Sequence, residues 1–594
     1  MTLYKVAGIG SRKIKMMKLL CVQECKFCGV QLRNNNSNCQ QNFNVEKTWD
    51  ASRAINNQGN IFKSPFDDVE IPHNFLHQEM WNNVDKWWNK IAIVSAVNGR
   101  SYSYEELRKL CGRFATSLRR NNLGPGDTLA IILPNIPEYA IASLGASEAG
   151  MMMTLISPAL TVYEMSQQII HSEAAAVITT QEIYSMIVDT VRKNPKHLPL
   201  IVVPNGNESI STGAINFTDL VSDGIDEFEK IGEQSRIYNE NDTVILPYSS
   251  GTTGLPKGVE LSHRNIIANI VQASHKEYDF DEPAIGEHQE IIPGFLPFYH
   301  IYGFVGCLLK NLRIGGKIIC VPQFTSNIFL DVLDKNRSTV LYVAPPIVQL
   351  MTTDNRFNRK HMECVKCVVS GAAPTGTQLI TKLYSKVNLN FHFGQAYGLT
   401  ETSPMISRSK KSPWDSSGLI AVNTELRIVS EDDDKGGKNL GINETGEIVV
   451  KGPQVMKGYY KNPKGTEDCM DGNWFKTGDS GYIDDKGQLF ITGRLKELIK
   501  VKGLQVAPAE LENLIFSHDK VEDVAVIGTP HVKWGEVPKA FVVPKSGIKI
   551  TEEDIKNYVA QRLSKYKHLH HVEFIDKIPK SAAGKILRKE LSKV

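Results

Sequence analysis

The chain has 594 residues, and its 68 Lys and Arg against 65 Asp and Glu give a formal net charge of +3. Its 41% hydrophobic and 22% charged residues are typical of globular proteins and exclude a collagenous, coiled-coil or disordered chain. So small a net charge does not indicate a basic face, and we expect no nucleic-acid partner. No uncharged apolar run reaches the roughly 18 residues of a transmembrane helix. Ten cysteines in a chain of this length indicate reduced thiols.

Residues 1–60 are predicted to form a disordered or targeting extension. The first 44 residues hold seven basic side chains and one acid and are rich in Asn and Gln, a composition typical of a mitochondrial presequence or of disorder. Four cysteines, Cys21, Cys25, Cys28 and Cys39, lie in this segment. Only Cys25 and Cys28 have the spacing of a zinc knuckle, and free thiols are the simpler interpretation.

The two ends of the sequence indicate different destinations in the cell. The basic first segment favours the mitochondrion. The last three residues, Ser592-Lys593-Val594, differ by one conservative change from the S-K-L peroxisomal signal. We expect a peroxisomal protein, with the mitochondrion and the cytoplasm as the alternatives.

From Val69 the chain alternates short apolar runs with helical stretches. An extended segment, Val69–Leu76, is followed by a predicted amphipathic helix, Trp81–Trp88, and a later alanine-rich helix covers Glu138–Ala149. Strands separated by helices predict parallel β-α-β sheets. The predicted strands are Thr128–Leu133, Ala175–Thr179, Leu200–Val203, Thr243–Tyr248, Lys317–Val321, Val340–Ala344 and Cys367–Ser370.

The pattern changes after Gly418, where short strands are joined by Gly and Asp turns. These strands are Glu425–Val429, Gly446–Val450 and Gln488–Thr492, and a later helix, Pro508–Phe516, begins with a proline suited to a first turn. We therefore predict an α/β fold. A large domain, 61–492, has mostly parallel sheets with flanking helices and a β-rich subdomain, and a small, mobile α+β domain covers 493–594.

The strongest chemical signal is the run Ser249-Ser250-Gly251-Thr252-Thr253-Gly254-Leu255-Pro256-Lys257-Gly258, which follows a predicted strand. Its glycines admit an anion close to backbone N–H groups, its hydroxyls add donors, and Lys257 adds a positive charge. The spacing differs from a Walker-type loop. We interpret the run as a phosphate-binding loop, and a flexible turn is the alternative.

This loop and six later motifs resemble the acyl-adenylate-forming superfamily, which includes 4-coumarate–CoA ligases, acyl-CoA synthetases and beetle luciferases. The resemblance covers residues 61–594 and departs from the usual pattern at Ala396 and Gly493. Ala396 stands where glycine is more usual, and Gly493 stands where many members have aspartate. The six motifs are Pro297–Gly303, Ser370–Pro374, Gln395–Glu401, Trp474–Asp479, Arg494–Gly503 and Pro579–Lys585.

The resemblance implies an ATP-dependent carboxylate–CoA ligase. A carboxylic acid, aromatic propenoic or fatty, attacks the α-phosphate of ATP and releases pyrophosphate, and the thiol of coenzyme A then displaces AMP. Mg²⁺ offsets the charge of the phosphates. A luciferase-type monooxygenase shares every motif and is the alternative from another enzyme class. A third alternative, a binding protein with a decayed site, predicts a missing lysine or glutamate, whereas Lys257, Glu401, Asp479, Arg494 and Lys585 are all present.

The resemblance also implies roles for individual residues. Lys585, Lys500, His300 and Glu401 are the catalytic candidates, and Glu401 is also the magnesium ligand. The acid is expected against His300, Tyr302, Gly371, Ala396 and Pro404. The residues expected to bind the nucleotide or coenzyme A are Ser249, Ser250, Gly251, Thr252, Thr253, Gly254, Lys257, Gly371, Ala372, Ala373, Gln395, Ala396, Tyr397, Gly398, Thr400, Asp479, Arg494, Lys496, Lys502, Gly503 and Gln505.

Two lysines of the final block are expected to serve different steps. Lys585 matches the lysine that reaches the carboxylate and α-phosphate during adenylation, and Lys500 matches one that serves thioester formation. Two distant lysines on one mobile domain are explained if that domain turns between the steps, with a hinge at Arg494–Lys496.

Overall fold

A computed structural model describes residues 51–56, 60–192, 198–206, 210–222, 239–249, 256–410, 412–430, 437–501, 504–581 and 584–592. The predictions for the four N-terminal cysteines, most of the phosphate-binding loop, Lys502, Gly503 and the last two residues lie outside these ranges. No helix in the described ranges has the length and apolar character needed to cross a membrane.

The largest sheet, called here the twelve-strand sheet, joins parallel and antiparallel pairs. Val340–Val343 and Cys367–Ser370 run parallel, as predicted, and His392–Gly398 adds a third parallel strand that was not predicted. After His392–Gly398 the pairing becomes antiparallel. In spatial order its strands are Ile55–Asn56, Ile61–Lys63, Glu425–Val429, Gly446–Lys451, Trp474–Ile483, Gln488–Arg494, Gly418–Ile420, Met405–Arg408, His392–Gly398, Cys367–Ser370 and Val340–Val343, with Met470–Asp471 beside Trp474–Ile483.

The eight-strand sheet is mainly parallel, and it leads into the phosphate-binding loop. Its strands in order are Gly458–Tyr459, Lys257–Ser262, Thr243–Ser249, Met152–Leu155, Thr128–Ile132, Ala176–Thr180, Leu200–Val203 and Ile215–Asn216. A four-strand sheet packs with these two and consists of Ile291–Gly294, Lys317–Cys320, Ile91–Ser95 and Ser101–Ser103. One apolar core from Phe62 to Leu489 takes residues from all three sheets.

The helices of this part lie between the strands. The α-helices are Leu76–Trp81, Tyr104–Arg120, Glu138–Ala149, Val162–His171, Gln181–Arg192, Phe217–Leu220, His263–Ala273, Lys310–Arg313, Ser326–Lys335, Pro345–Thr353, Thr377–Val387 and Pro463–Cys469. The 3-10 helices are Ala51–Ala54, Val84–Trp87, Arg359–Met362, Thr400–Thr402 and Leu495–Glu497. A π-helix, a form often found at functional sites, covers Tyr302–Leu309.

The C-terminal part has a sheet and cores of its own. Its five strands are Leu504–Val506, Ile499–Val501, Gly535–Pro544, Val521–His531 and His571–Phe574. Two apolar clusters draw their buried residues only from 499–591. Its helices are Pro508–Phe516, Glu552–Ala560, Lys565–Lys567 and Arg588–Leu591. The α/β fold with a large N-terminal and a small C-terminal domain is therefore confirmed.

The structure differs from the sequence prediction near the N-terminus. The predicted helix Trp81–Trp88 is wrong, because the α-helix covers Leu76–Trp81 and a 3-10 helix, Val84–Trp87, follows it. Asn83 separates the two with a left-handed φ of 66°, which Asn tolerates better than most residues. The described fold also begins before Ile61, since Ile55–Asn56 pairs with Ile61–Phe62.

Candidate active site

Most of the described candidate residues line one cavity of about 680 Å³ between the two domains. A smaller cavity of about 280 Å³ adds Ala373, Gln395 and Asp479. Residues 250–255 lie outside the described ranges. The candidates in the larger cavity are Ser249, Lys257, His300, Tyr302, Gly371, Ala372, Ala396, Tyr397, Gly398, Thr400, Glu401, Pro404, Arg494, Lys496 and Lys585.

The two ends of the phosphate-binding loop lie side by side on the cavity wall. Ser249 ends one strand and Lys257 begins the next, and the two are cross-strand partners. The Ser249 hydroxyl is buried without a hydrogen-bond partner among the described residues. Because an unsatisfied buried hydroxyl is costly, it marks a place where a bound acceptor such as a phosphate oxygen fits.

Tyr397, Asp479 and Arg494 form a connected group at the nucleotide side. The Tyr397 hydroxyl donates to Asp479 Oδ2 at 2.9 Å, and Arg494 Nε lies 3.1 Å from Asp479 Oδ1. Strand pairing places Asp479 opposite Arg494. Burial raises the pKa of Asp479, while Arg494 and Tyr397 oppose that rise. The two residues expected at the ribose are thus brought together by adjacent strands.

The turn after strand Cys367–Ser370 approaches Tyr302 closely. A Cβ built on Gly371 would lie 2.9 Å from Tyr302 Cε1, and the Tyr302 hydroxyl donates to the Val369 carbonyl at 3.0 Å. Ala372 has a φ of 72°, which is strained for a residue with a side chain. Because Gly371 has no side chain, the Tyr302 ring can lie close to the backbone at this part of the cavity wall.

Gln395 supports the turn that precedes the helix Thr377–Val387. Its Oε1 accepts from the Thr375 N–H at 2.7 Å, and its Nε2 donates to the carbonyls of Thr375 and Trp414. The side-chain amide is buried and engaged at both ends. Through these hydrogen bonds, Gln395 stabilises the wall of the smaller cavity.

Glu401 is a nearly buried carboxylate, 7% exposed, on the short helix Thr400–Thr402. Its Oε1 accepts from the Tyr459 hydroxyl at 3.0 Å, and Lys257 Nζ lies 4.7 Å from the centre of the Tyr459 ring. Burial and the charge of Glu401 raise the pKa of Tyr459. Glu401 forms no ion pair with any cationic side chain in the described ranges. A carboxylate that faces a cavity without such a partner fits a hard cation.

His300 precedes the π-helix and lines the larger cavity. Its Nδ1 accepts from the Tyr302 N–H at 3.3 Å, which leaves the proton on Nε2. Burial lowers the pKa of His300 to about 4. The imidazole is therefore neutral near pH 7 and can donate one hydrogen bond.

Lys585 lies at the end of a tight loop of the small domain and lines both cavities. Burial and the nearby Arg494 lower its pKa, while Glu497 and Asp479 oppose this. Gly584 before it has a φ of 80°, and a Cβ there would lie 2.6 Å from Pro346 Cγ of the large domain. Only glycine fits this close contact, which brings Lys585 to the cavity.

Lys500 does not lie at the cavity in this arrangement. It is exposed on strand Ile499–Val501, opposite Gln505 in strand Leu504–Val506, and its N–H donates to Glu536 Oε2 at 2.8 Å. Lys496 lies in the 3-10 helix that joins the two domains and reaches the larger cavity. The structure thus brings together Lys585 and Lys496 but leaves Lys500 outside.

Several lining residues carry no sequence signal. Tyr459, the partner of Glu401, belongs to a short edge strand without a recognisable motif. Lys310, Tyr342 and Arg408 line the larger cavity from three separate elements. Only the tertiary fold brings them together.

The comparisons with known proteins agree with this geometry. The model of the AMP-binding enzyme family matches residues 80–460, and that of its C-terminal domain matches residues 510–585. The chain is 36% identical to 4-coumarate–CoA ligase 1 of Petroselinum crispum over 541 residues, or 89% of this chain and 96% of that protein. It is 35% identical to 4-coumarate–CoA ligase 1 of Arabidopsis thaliana over 561 residues, or 92% and 97%.

Solved structures match over nearly their full length. ATP-bound MatB from Rhodopseudomonas palustris superposes with a TM-score of 0.78 at 27% identity, covering 88% of this chain and 99% of that one. The benzoate CoA ligase from Burkholderia xenovorans LB400 shares the fold with a TM-score of 0.77 at 22% identity, covering 87% and 99%. On the strength of both family models and these relatives, the chain belongs to the AMP-binding enzyme family.

Proposed function

We propose that the protein is an ATP-dependent carboxylate–CoA ligase that works through an acyl-adenylate. The observation that carries this proposal is the meeting of Lys585, Glu401 and His300 on one interdomain cavity that also reaches Arg494. The ligase names of the sequence relatives support it, whereas no observation favours a luciferase.

In the first step, a carboxylate oxygen bonds to the α-phosphorus of ATP, and the bond from that phosphorus to the β-phosphate bridge breaks. Pyrophosphate leaves. Two anions must meet, so the chain must supply positive charge and donors. Lys585 supplies a charge between carboxylate and α-phosphate, Lys257 a charge at the phosphate loop, and the neutral His300 a hydrogen bond to the carboxylate.

Asp479 and Arg494 would orient the nucleotide. The ribose hydroxyls can donate to the Asp479 carboxylate, whose present partners are Tyr397 and Arg494. Tyr397 and the small residues Gly371 and Ala372 offer flat, accessible surface for adenine. Holding the nucleotide at several points fixes the α-phosphorus against the acid.

Glu401 would hold Mg²⁺ against the phosphates. Its burial, its position on the cavity and the lack of an ion-pair partner in the described chain fit that role. Bound Mg²⁺ supplies charge that offsets the repulsion between the triphosphate and the carboxylate. The Tyr459 hydroxyl fixes the orientation of the Glu401 carboxylate.

In the second step, the thiol sulfur of coenzyme A bonds to the acyl carbon, and the bond to AMP breaks. We propose that the small domain first turns about Arg494–Lys496, bringing the face of Lys500 to the cavity. The chain leaves the twelve-strand sheet at Arg494 and enters the five-strand sheet at Ile499, which supports a boundary near Gly493. The exposed position of Lys500 fits a residue that lies outside the cavity during adenylation.

The test is pyrophosphate release from ATP over a panel of carboxylic acids, with and without coenzyme A, together with thioester detection. We expect acid-dependent pyrophosphate release, and thioester and AMP only when coenzyme A is present. Lack of acid-dependent release across aromatic and aliphatic acids would contradict the proposal. Oxygen consumption without thioester would instead indicate a monooxygenase.

A further inference from the structure

A histidine and two glutamates meet just before the strand Ile291–Gly294, apart from the residues assigned above. Glu282, His288 and Glu290 each offer one metal-ligating atom, and these three atoms lie within 4.8 Å of one another. The chain turns back on itself here, because Ile285 pairs with His288 as an antiparallel bridge. We call the three residues the hairpin triad. None of them lines either of the two cavities described above.

Hydrogen bonds fix the hairpin that carries the triad. Ile285 and His288 exchange two backbone hydrogen bonds, of 3.2 and 2.8 Å. The N–H of Glu282 donates to Glu290 Oε1 at 3.1 Å, which ties the two ends of the segment together. The intervening Gln289 is held separately, since its amide donates to two backbone carbonyls of neighbouring segments. The three ligating side chains are therefore brought together by an ordered turn.

Glu290 is the buried member of the triad, and only one of its oxygens is satisfied. Its side chain is 0% exposed. Oε1 accepts from the Glu282 N–H and from Lys366 Nζ. Oε2 is buried and has no hydrogen-bond partner among the described residues. Because a buried carboxylate oxygen without a partner is costly, it marks a place where a cation or a donor fits.

The His288 ring brings a second unpartnered ligand atom to the same place. Its Nε2 lies 3.4 Å from Glu290 Oε1 and 3.8 Å from Glu282 Oε2. The ring is partly exposed, but Nε2 is buried and forms no hydrogen bond with any described residue. These separations are longer than those of well-formed N–H···O hydrogen bonds, so a proton on Nε2 does not satisfy the group.

The spacing of these atoms fits a divalent metal ion. A tetrahedral Zn²⁺ about 2.1 Å from its nitrogen and oxygen ligands holds neighbouring ligand atoms about 3.4 Å apart. His288 Nε2 and Glu290 Oε1 have this separation. Glu282 is slightly too far, but its side chain is 72% exposed and free to approach. An imidazole with two carboxylates suits Zn²⁺, whereas Mg²⁺ and Ca²⁺ prefer oxygen ligands alone.

The charges around the triad also fit a cation. Glu282 and Glu290 carry two negative charges, and a neutral His288 adds none. Lys366 pairs with Glu290 Oε1, and its side chain is 33% exposed, so it can turn towards solvent when a metal ion takes that oxygen. A bound Zn²⁺ would then balance the two carboxylates.

We propose that the hairpin triad is a structural zinc site, in which the ligands are His288 Nε2, one oxygen each of Glu282 and Glu290, and a water. The site is separate from the magnesium site proposed at Glu401, and the inference does not rest on the proposed ligase function. Bound Zn²⁺ links the exposed end of the hairpin to the buried residue at the start of the next strand. It stabilises the folded chain, because only folding brings the three ligands together.

The test is calorimetric titration of the metal-free, untagged full chain with Zn²⁺ alone. Because the N-terminal cysteines can also bind zinc, the site is measured as the difference between the wild type and His288→Gln. We expect the variant to lose one zinc equivalent or to bind it at least about 10-fold more weakly, since even a residue that only orients a ligand is worth about 10–100-fold. The matched control is His73→Gln, which removes a histidine paired with Glu240 and should keep every equivalent. Equal zinc binding by the wild type and His288→Gln would overturn the proposal.

Two further measurements separate a zinc site from an ion pair that only supports the fold. Lys366→Met removes the cation that competes for Glu290 Oε1. In the folded variant we expect the same zinc equivalent to bind about 5-fold more tightly, as for loss of one competing ion pair of about 1 kcal/mol. Unchanged or weaker binding would show that Lys366 is the partner that the triad requires and would overturn the proposal. An equal concentration of Mg²⁺ or Ca²⁺ should leave this zinc in place, and its displacement by either ion would contradict a site with a nitrogen ligand.

Discussion

The loop that carries Lys585 and the strand that carries Lys500 lie on the same small domain but in opposite surroundings. Lys585 lines both cavities, and burial with the charge of Arg494 lowers its pKa. Lys500 is exposed, and its N–H is bonded within its own domain to Glu536. Only Lys585 reaches the cavities in this arrangement of the domains, which fits the adenylation role that we propose for it.

Lys585→Ala should give the largest loss and should affect only one half-reaction. Because the substitution removes the charge that we propose lies between the carboxylate and the α-phosphate, we expect acyl-adenylate formation to fall on the order of 10³-fold. Conversion of a supplied acyl-adenylate and coenzyme A to thioester should persist. Single-turnover rates of each half-reaction measure this. Equal losses in both half-reactions would mean that Lys585 does not serve adenylation alone.

The pH dependence of adenylation tests whether the charge of Lys585 is needed for that step. Lys585 has a pKa below the ordinary 10.5, so it loses its charge earlier as the pH rises. Adenylation should therefore decline at an alkaline pH below that value, and Lys585→Arg, which stays charged, should move the decline upward. A decline that stays in place in Lys585→Arg would assign it to another group.

Glu401→Gln should reduce adenylation about 10²-fold, because it keeps the side-chain shape and removes the charge that we propose holds Mg²⁺ against the phosphates. The comparison variant is Tyr459→Phe, which leaves that charge and removes only the hydrogen bond to Glu401 Oε1. It should reduce the rate less and raise the Mg²⁺ concentration needed for half-maximal rate. Unchanged pyrophosphate release in Glu401→Gln would contradict its assignment.

Lys500→Ala should show the reverse pattern of Lys585→Ala, with a smaller effect. Pyrophosphate release should persist and adenylate should accumulate, while thioester formation falls roughly 10-fold, as for loss of one charged hydrogen bond. Lys539→Ala, a lysine of the same domain that is paired with Glu573, is the control. Normal thioester formation in Lys500→Ala would mean that this face never reaches the acid.

Gly371→Ala should have a modest effect confined to binding. Its Cβ would lie 2.9 Å from Tyr302 Cε1, so the ring must shift. Overpacking of this kind costs about 1 kcal/mol, and we expect KM for the acid to rise roughly 5-fold. The companion Gly371→Ala/Tyr302→Leu should recover part of the loss. No change in KM would mean that Tyr302 does not border the bound acid.

Residues that form contiguous motifs could be predicted from the sequence, whereas residues assembled from distant elements could not. The strands Leu200–Val203 and Cys367–Ser370 were predicted with the bounds that the structure has, because buried parallel strands form short apolar runs. Asp479 and Arg494 belong to separate motifs, and strand pairing brings them together.

Buried charges on the wall of the larger cavity show why the rest could not be predicted. Lys310 forms ion pairs with Asp279 and Asp281, and Arg408 forms one with Asp279. Lys310 follows an apolar run and resembles a surface lysine at the end of a helix, although it is buried. Asp279, Tyr342 and Arg408 are far from it in sequence, and no spacing rule joins them. Likewise, Asn83 ends a helical pattern that hydrophobic periodicity alone would continue.

The most direct test of the turning small domain is a pair of substitutions at Lys496, in the 3-10 helix between the domains. Lys496→Ala removes the side chain from the cavity, whereas Lys496→Pro also fixes φ and restricts the turn. Single-turnover rates of both half-reactions should show the same pyrophosphate release in the two variants, with thioester formation lost only in Lys496→Pro. Thioester formation in Lys496→Pro at the rate of Lys496→Ala would contradict the account.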